Sequence, residues 1–103
     1  MIAMKSIEVD IATLPDGEPT RLVQDGEGIV VLKQGTEIKA FIDVCPHASW
    51  RLSEGEMLDE RTLECPGHMW RFDITSGLCT DVSAYKLTTV NVIQNDTKVS
   101  FQW

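Results

Sequence analysis

The chain is short of positive charge: nine Lys and Arg stand against sixteen Asp and Glu, a formal net charge of −7 over 103 residues. A phosphate backbone or an anionic lipid surface is repelled by that balance, so nucleic acid and membrane surfaces are excluded as partners. No apolar run approaches the length that spans a bilayer, and Met1 to Ser6 lacks the apolar stretch of a secretory signal. A cytoplasmic protein is expected. Cysteine is scarce and odd in number, with three in all, which argues against a disulfide framework and towards thiols that are buried or hold metal. Apolar residues nowhere keep a helical period for the roughly ten residues that mark a helix.

Short β-like runs are present instead. Lys5 to Val9, Thr20 to Val23, Gly28 to Lys33, Ile38 to Val44, Leu87 to Ile93 and Lys98 to Trp103 are rich in β-branched or alternating apolar residues. Asp16-Gly17 and Asp25-Gly26 supply residues that tolerate positive φ, so each is expected to reverse the chain between strands, with Gln34-Gly35 a weaker signal. Asn95-Asp96-Thr97 matches a glycosylation sequon, but Asn95-Asp96 between two β-like runs reads as a hairpin turn. The fold expected is all-β: a single domain over residues 1–103, an antiparallel sandwich or barrel carrying a functional lobe over about 45–80. That lobe holds all three Cys and both His.

Two motifs lie in it. Cys45-Pro46-His47 and Cys65-Pro66-Gly67-His68 each offer one thiolate and one imidazole beside a proline, with seventeen residues between His47 and Cys65. Both histidines of the chain are placed in this way, which makes Cys45, His47, Cys65 and His68 the candidate metal ligands. Zinc accepts two thiolates and two imidazoles, but its structural sites commonly pair Cys with Cys and His with His, and one residue between Cys45 and His47 is tight for one shared ion. A zinc-stabilised module without a redox role remains the reading from another class. The mixed pairing suits a two-iron, two-sulfide cluster in which the cysteines bind one iron and the histidines the other.

At these residues the sequence resembles the Rieske-type ferredoxins, whose signature is Cys-x-His and Cys-x-x-His at this separation. Leu52, Ser53-Glu54-Gly55, Arg71-Phe72-Asp73 and Thr75-Ser76-Gly77 extend the likeness from Cys45 to Gly77. The resemblance implies a Rieske fold of three small antiparallel sheets and one [2Fe–2S] cluster per chain, held by the four candidate ligands. It also implies a one-electron carrier with no catalytic site, which takes electrons from an NADH-dependent flavin or iron–sulfur reductase and delivers them to a terminal oxygenase. A monomer suits such a shuttle.

Departures from the family pattern refine these expectations. Trp50 and Gly67 stand where respiratory-type relatives carry a loop disulfide. Trp70 and Phe72 replace a Ser and a Tyr whose hydroxyls raise the potential, which points to the low end of the Rieske range, about −150 to 0 mV. His68-Met69-Trp70 looks like the ferredoxins of diiron multicomponent monooxygenases acting on toluene, alkenes or isoprene, so a hydrocarbon monooxygenase is the expected partner, with a ring-hydroxylating dioxygenase the alternative. Trp50, Met57 and Met69 are candidate apolar contacts. Cys79 has no ligand partner at a suitable spacing and is expected to be structural.

Overall fold

The computed structural model describes residues 5–45, 50–67, 70–80 and 85–103. Strand β1 is Ser6–Asp10, β2 Thr20–Gln24, β3 Glu27–Gln34 and β4 Glu37–Ile42. The lobe supplies β5 (Glu56–Met57), β6 (Thr62–Glu64) and β7 (Arg71–Asp73), and the chain ends in β8 (Asn91–Asn95) and β9 (Lys98–Gln102). They form three antiparallel sheets, ordered β1-β9-β8, β2-β3-β4 and β5-β6-β7. This is the expected all-β architecture. The described helical structure is limited to 3-10 turns at Ile11–Thr13 and Leu52–Glu54, and no described helix is long and apolar enough to cross a membrane.

The sheet β2-β3-β4 is the middle layer because consecutive side chains of a strand point to opposite faces. Val30 and Leu32 of β3, with Phe41 of β4, pack towards the lobe against Leu52, Leu63, Phe72 and Leu87. Ile29 and Val31, with Ile38 and Ala40, pack the other way against Val99 and Phe101 of β9. A strand covered on both faces needs a continuous apolar run, and Ile29 to Leu32 is that run, fully buried.

Turn chemistry follows the sequence in most places. Asp25 and Gly26 both have positive φ, 52° and 81°, and close the β2–β3 hairpin as its two-residue turn. Gly35, at φ 62°, opens the β3–β4 turn. The β8–β9 turn lies one residue later than Asn95-Asp96: Asn95 pairs with Lys98, leaving Asp96 and Thr97 at the tip, with Asp96 at φ 56°. Asp16-Gly17 makes no hairpin. The Asp16 carboxylate accepts the Gly35 N–H at 2.9 Å and meets Lys33 Nζ at 3.3 Å, while Gly17 N–H donates to the Lys33 carbonyl at 2.8 Å. The pair therefore moors the link between β1 and β2 to the end of β3, and those contacts hold the Asp16 carboxyl below its ordinary value.

The expected strand Leu87 to Ile93 begins only at Asn91. Its first half crosses between layers: Leu87 N–H donates to the Gly77 carbonyl in the lobe at 2.7 Å, and Val90 N–H to the Ala40 carbonyl in the middle sheet at 2.9 Å. A segment that bonds successively to two sheets cannot belong to either ladder along its whole length.

Candidate metal centre

Each candidate loop leaves a strand limb at a cysteine and returns at a tryptophan. Cys45 N–H donates to the Trp50 carbonyl at 2.8 Å, and Cys65 N–H to the Trp70 carbonyl at 2.7 Å. The two six-residue loops are therefore closed by the same bond at the same separation. Pro follows each Cys and fixes φ there, which shortens the list of conformations the loops have to lose on folding.

The limbs beneath the loops differ. The second loop sits on a regular hairpin, with Leu63 opposite Phe72 and Glu64 opposite Arg71. The first has a strand on one side only: β4 stops at Ile42, and the return limb is the 3-10 turn Leu52–Glu54. In place of a ladder there is a buried carboxylate. Asp43 accepts the Ser53 N–H at 2.7 Å, the Ser53 hydroxyl at 2.5 Å and Arg21 Nη1 at 2.6 Å, with its side chain fully out of solvent. Gly28 makes the approach of Arg21 feasible, since a Cβ there would run into the guanidinium. Arg21, Asp43 and Ser53 as a trio went unrecognised in the sequence. Only an acidic residue inside the apolar run Phe41 to Cys45 hinted at it.

The two cysteines meet in the core, 1% and 0% exposed, among Leu52, Leu63, Phe72 and Leu87. Burial pushes the Cys65 thiol up to about 12, assisted by the adjacent Cys45, while the Gly67 N–H aimed at its sulfur acts in the opposite sense. Two thiols forced together in an apolar shell, one of them already facing an N–H donor, form a donor set that gains from a shared cation. The pair fits one iron of a cluster. His47 and His68, and with them Met69, lie outside the described residues.

Trp50 and Gly67 prove to be neighbours. A Cβ at the buried Gly67 would collide with the Trp50 indole, so the ring of one loop lies over the backbone of the other. Trp70 packs edge-on against Tyr85 with ring centroids 5.0 Å apart. Cys79 is buried in the same core as Cys45 and Cys65 and pairs with Phe72 through an isolated bridge; among the described residues the three cysteines form no disulfide.

The raised Cys65 thiol gives a prediction for metal-free protein. Because the folded value exceeds the ordinary 9.0, this group's contribution to stability is full below pH 9 and is lost as pH rises towards about 12. Alkylation by iodoacetamide at pH 8 is expected to be at least about tenfold slower for the folded apo-protein than for the same chain in urea, read by mass spectrometry at Cys65. Equal rates would show that the pair is open to solvent.

Residues 6–94 match the model of the Rieske [2Fe-2S] domain. The ferredoxin component of the naphthalene 1,2-dioxygenase/salicylate 5-hydroxylase systems of a Ralstonia species is 33% identical over 85 residues, covering 77% of this chain and 81% of that protein. The biphenyl dioxygenase ferredoxin subunit of Pseudomonas sp. strain KKS102 is 34% identical over 77 residues, covering 75% and 69%. Among solved structures, the ferredoxin of carbazole 1,9a-dioxygenase from Nocardioides aromaticivorans IC177 superposes with a TM-score of 0.80 at 27% identity, covering 90% and 91% of the two chains. These findings displace the zinc module, and the matching relatives are named as ferredoxins of dioxygenase systems, not of the expected monooxygenases. Apolar bulk at Met69-Trp70 is a poor marker of the partner, because every such cluster needs a dry surround and Trp70 is already occupied with Tyr85. The chain belongs to the Rieske [2Fe-2S] family, carries a [2Fe–2S] cluster, and is an electron-transfer protein rather than an enzyme.

Proposed function

We propose that this chain is the ferredoxin component of a ring-hydroxylating dioxygenase system, a single domain over residues 1–103 that carries electrons from an NADH-dependent reductase to the oxygenase as a cytoplasmic monomer. In this reading Cys45 and Cys65 hold one iron, and His47 and His68 the other. The observation that carries it is the burial of Cys45 against Cys65 at the bases of two loops closed alike, each loop bearing one histidine. When bound, the cluster takes up and releases one electron at a time. The two thiols must each give up a proton on loading, so assembly is favoured by rising pH.

The surroundings suit that task. Leu52, Leu63, Phe72 and Leu87 exclude water from the sulfur side. Val44 and Trp50, each 49% exposed, put apolar surface beside the first loop, where a small transient contact with an oxygenase would form. The net charge of −7 steers the chain towards basic docking faces. Raising ionic strength from 20 to 300 mM is therefore expected to slow reduction by the reductase about tenfold in stopped-flow measurements, since exposed charges are screened within about a Debye length. Rates indifferent to salt would remove charge from the account.

The deciding experiment is reconstituted turnover. The purified chain, containing iron and acid-labile sulfide in equal amounts, is combined with a reductase and, in turn, with an aromatic-ring dioxygenase and a diiron monooxygenase. NADH-dependent product from the dioxygenase alone supports the reading. Product from the monooxygenase alone overturns it.

A further inference from the structure

The two loops are built on unequal foundations, and the difference locates a positioning residue. Beneath the second loop, β6 and β7 continue their ladder to Glu64 and Arg71, next to Cys65 and Trp70. Beneath the first, the last ladder bond of β4 is Asp43 N–H to the Gly28 carbonyl at 3.0 Å; a tight bond from Val44 N–H to the Ile42 carbonyl then turns the chain into Cys45. No backbone bond of that ladder reaches Ser53. Among the described residues, Asp43 ties the outgoing limb to the returning one by accepting both the backbone N–H and the hydroxyl of Ser53.

Arg21 completes the arrangement from β2, crossing over Gly28 to reach the same carboxylate. Its charge balances a carboxylate that is otherwise out of reach of water. We propose that Asp43, held by Arg21 across Gly28, is the positioning residue of the first cluster loop, clamping Ser53 so that the bases of the loop stay in register for metal binding. It rests on the cluster assignment proposed above. A group that fixes the ligands without touching the metal should affect retention and spectrum beyond any loss of fold stability.

The test uses purified cluster-loaded protein carrying Asp43→Asn, Arg21→Gln or Arg21→Lys, with Val99→Ala as a control in the core on the far side of the middle sheet. Asp43→Asn and Arg21→Gln are expected to lose visible absorbance to a chelator about tenfold faster than wild type at a temperature well below melting, with shifted EPR g values. Arg21→Lys should recover most of the retention. Val99→Ala should lower the melting temperature while leaving retention and g values at wild-type levels. Should Asp43→Asn and Arg21→Gln behave like Val99→Ala, or fail to assemble a cluster that Arg21→Lys also cannot restore, the positioning role is refuted. Failure of the wild-type chain to show a Rieske spectrum would instead refute the cluster assignment, so the two failures are distinguishable.

Discussion

Cys65→Ala is expected to give a folded, colourless protein, with iron content below about a tenth of wild type and no EPR signal after dithionite. Cys65 is fully buried against Cys45 in an apolar shell of Leu52, Leu63, Phe72 and Leu87, a setting that disfavours a water taking the place of the lost sulfur. Cys45→Ala should do the same. His47→Ala and His68→Ala are expected to lose the cluster as well, since the two imidazoles are the only ones the chain possesses. The fold should survive in each case. Phe72, Leu63 and Leu52 remain, and trading a buried thiol for a methyl removes little volume, a loss of about 1 kcal/mol. Far-UV circular dichroism checks the fold, and visible absorption with iron and sulfide analysis checks the site. Cys79→Ser is the internal control: it sits in the same core, so it should cost stability yet keep the colour. A fully coloured His47→Ala protein would require another ligand and would undo the proposed set.

The legible and illegible parts of this molecule divide along physical lines. Alternation and Asp-Gly punctuation are local properties, and β1 to β4, β9 and the Asp25-Gly26 turn could be read from them. Asp16-Gly17 has the same local signature but is claimed by a distant partner, Lys33 with Gly35, so the expected hairpin does not form there. The division of Val30 and Leu32 from Ile29 and Val31 is implicit in a period of two, but only the assembled layers tell which side meets the lobe. The candidate ligands Cys45, His47, Cys65 and His68 stand out in the sequence because their chemistry is rare and their spacing is specific. The Arg21, Asp43 and Ser53 cluster does not: its members are ordinary surface residue types, Arg21 and Asp43 lie 22 positions apart, and only the place of Asp43 in an apolar run hints at burial.

Gly55→Ala is expected to be among the most damaging substitutions of a single methyl group. Leu52 and Gly55 were readable as a spaced pair, and the structure supplies the reason for the spacing. Leu52 is fully buried and begins the 3-10 turn, and Gly55 ends it, its N–H donating to the Leu52 carbonyl at 2.9 Å. At φ −82° the backbone of Gly55 is available to any residue, so conformational freedom is not what glycine contributes here. Space is. A Cβ at this position would land on the Glu64 carbonyl oxygen and lie 3.1 Å from that of Leu52, both of them backbone atoms without rotamers to swing aside. Glu64 pairs with Glu56 on one side and Arg71 on the other, and it immediately precedes Cys65. Relief must therefore come from parting β5 from β6 or from shifting the base of the second loop. Overpacking of this kind costs about 2–3 kcal/mol, which for a chain of this size lowers the melting temperature by roughly 10–20 °C. Because the strain is delivered next to Cys65, a proposed ligand, cluster loss should accelerate with it. Gly17→Ala, at a glycine with nothing within 4 Å of its would-be Cβ but φ at 76°, separates the two causes: it should cost about 1 kcal/mol through backbone conformation and leave the cluster untouched. Calorimetry and chelator challenge on the two variants side by side decide the matter; equal melting temperatures would mean that β5 yields without resistance and that the two loops do not depend on this contact.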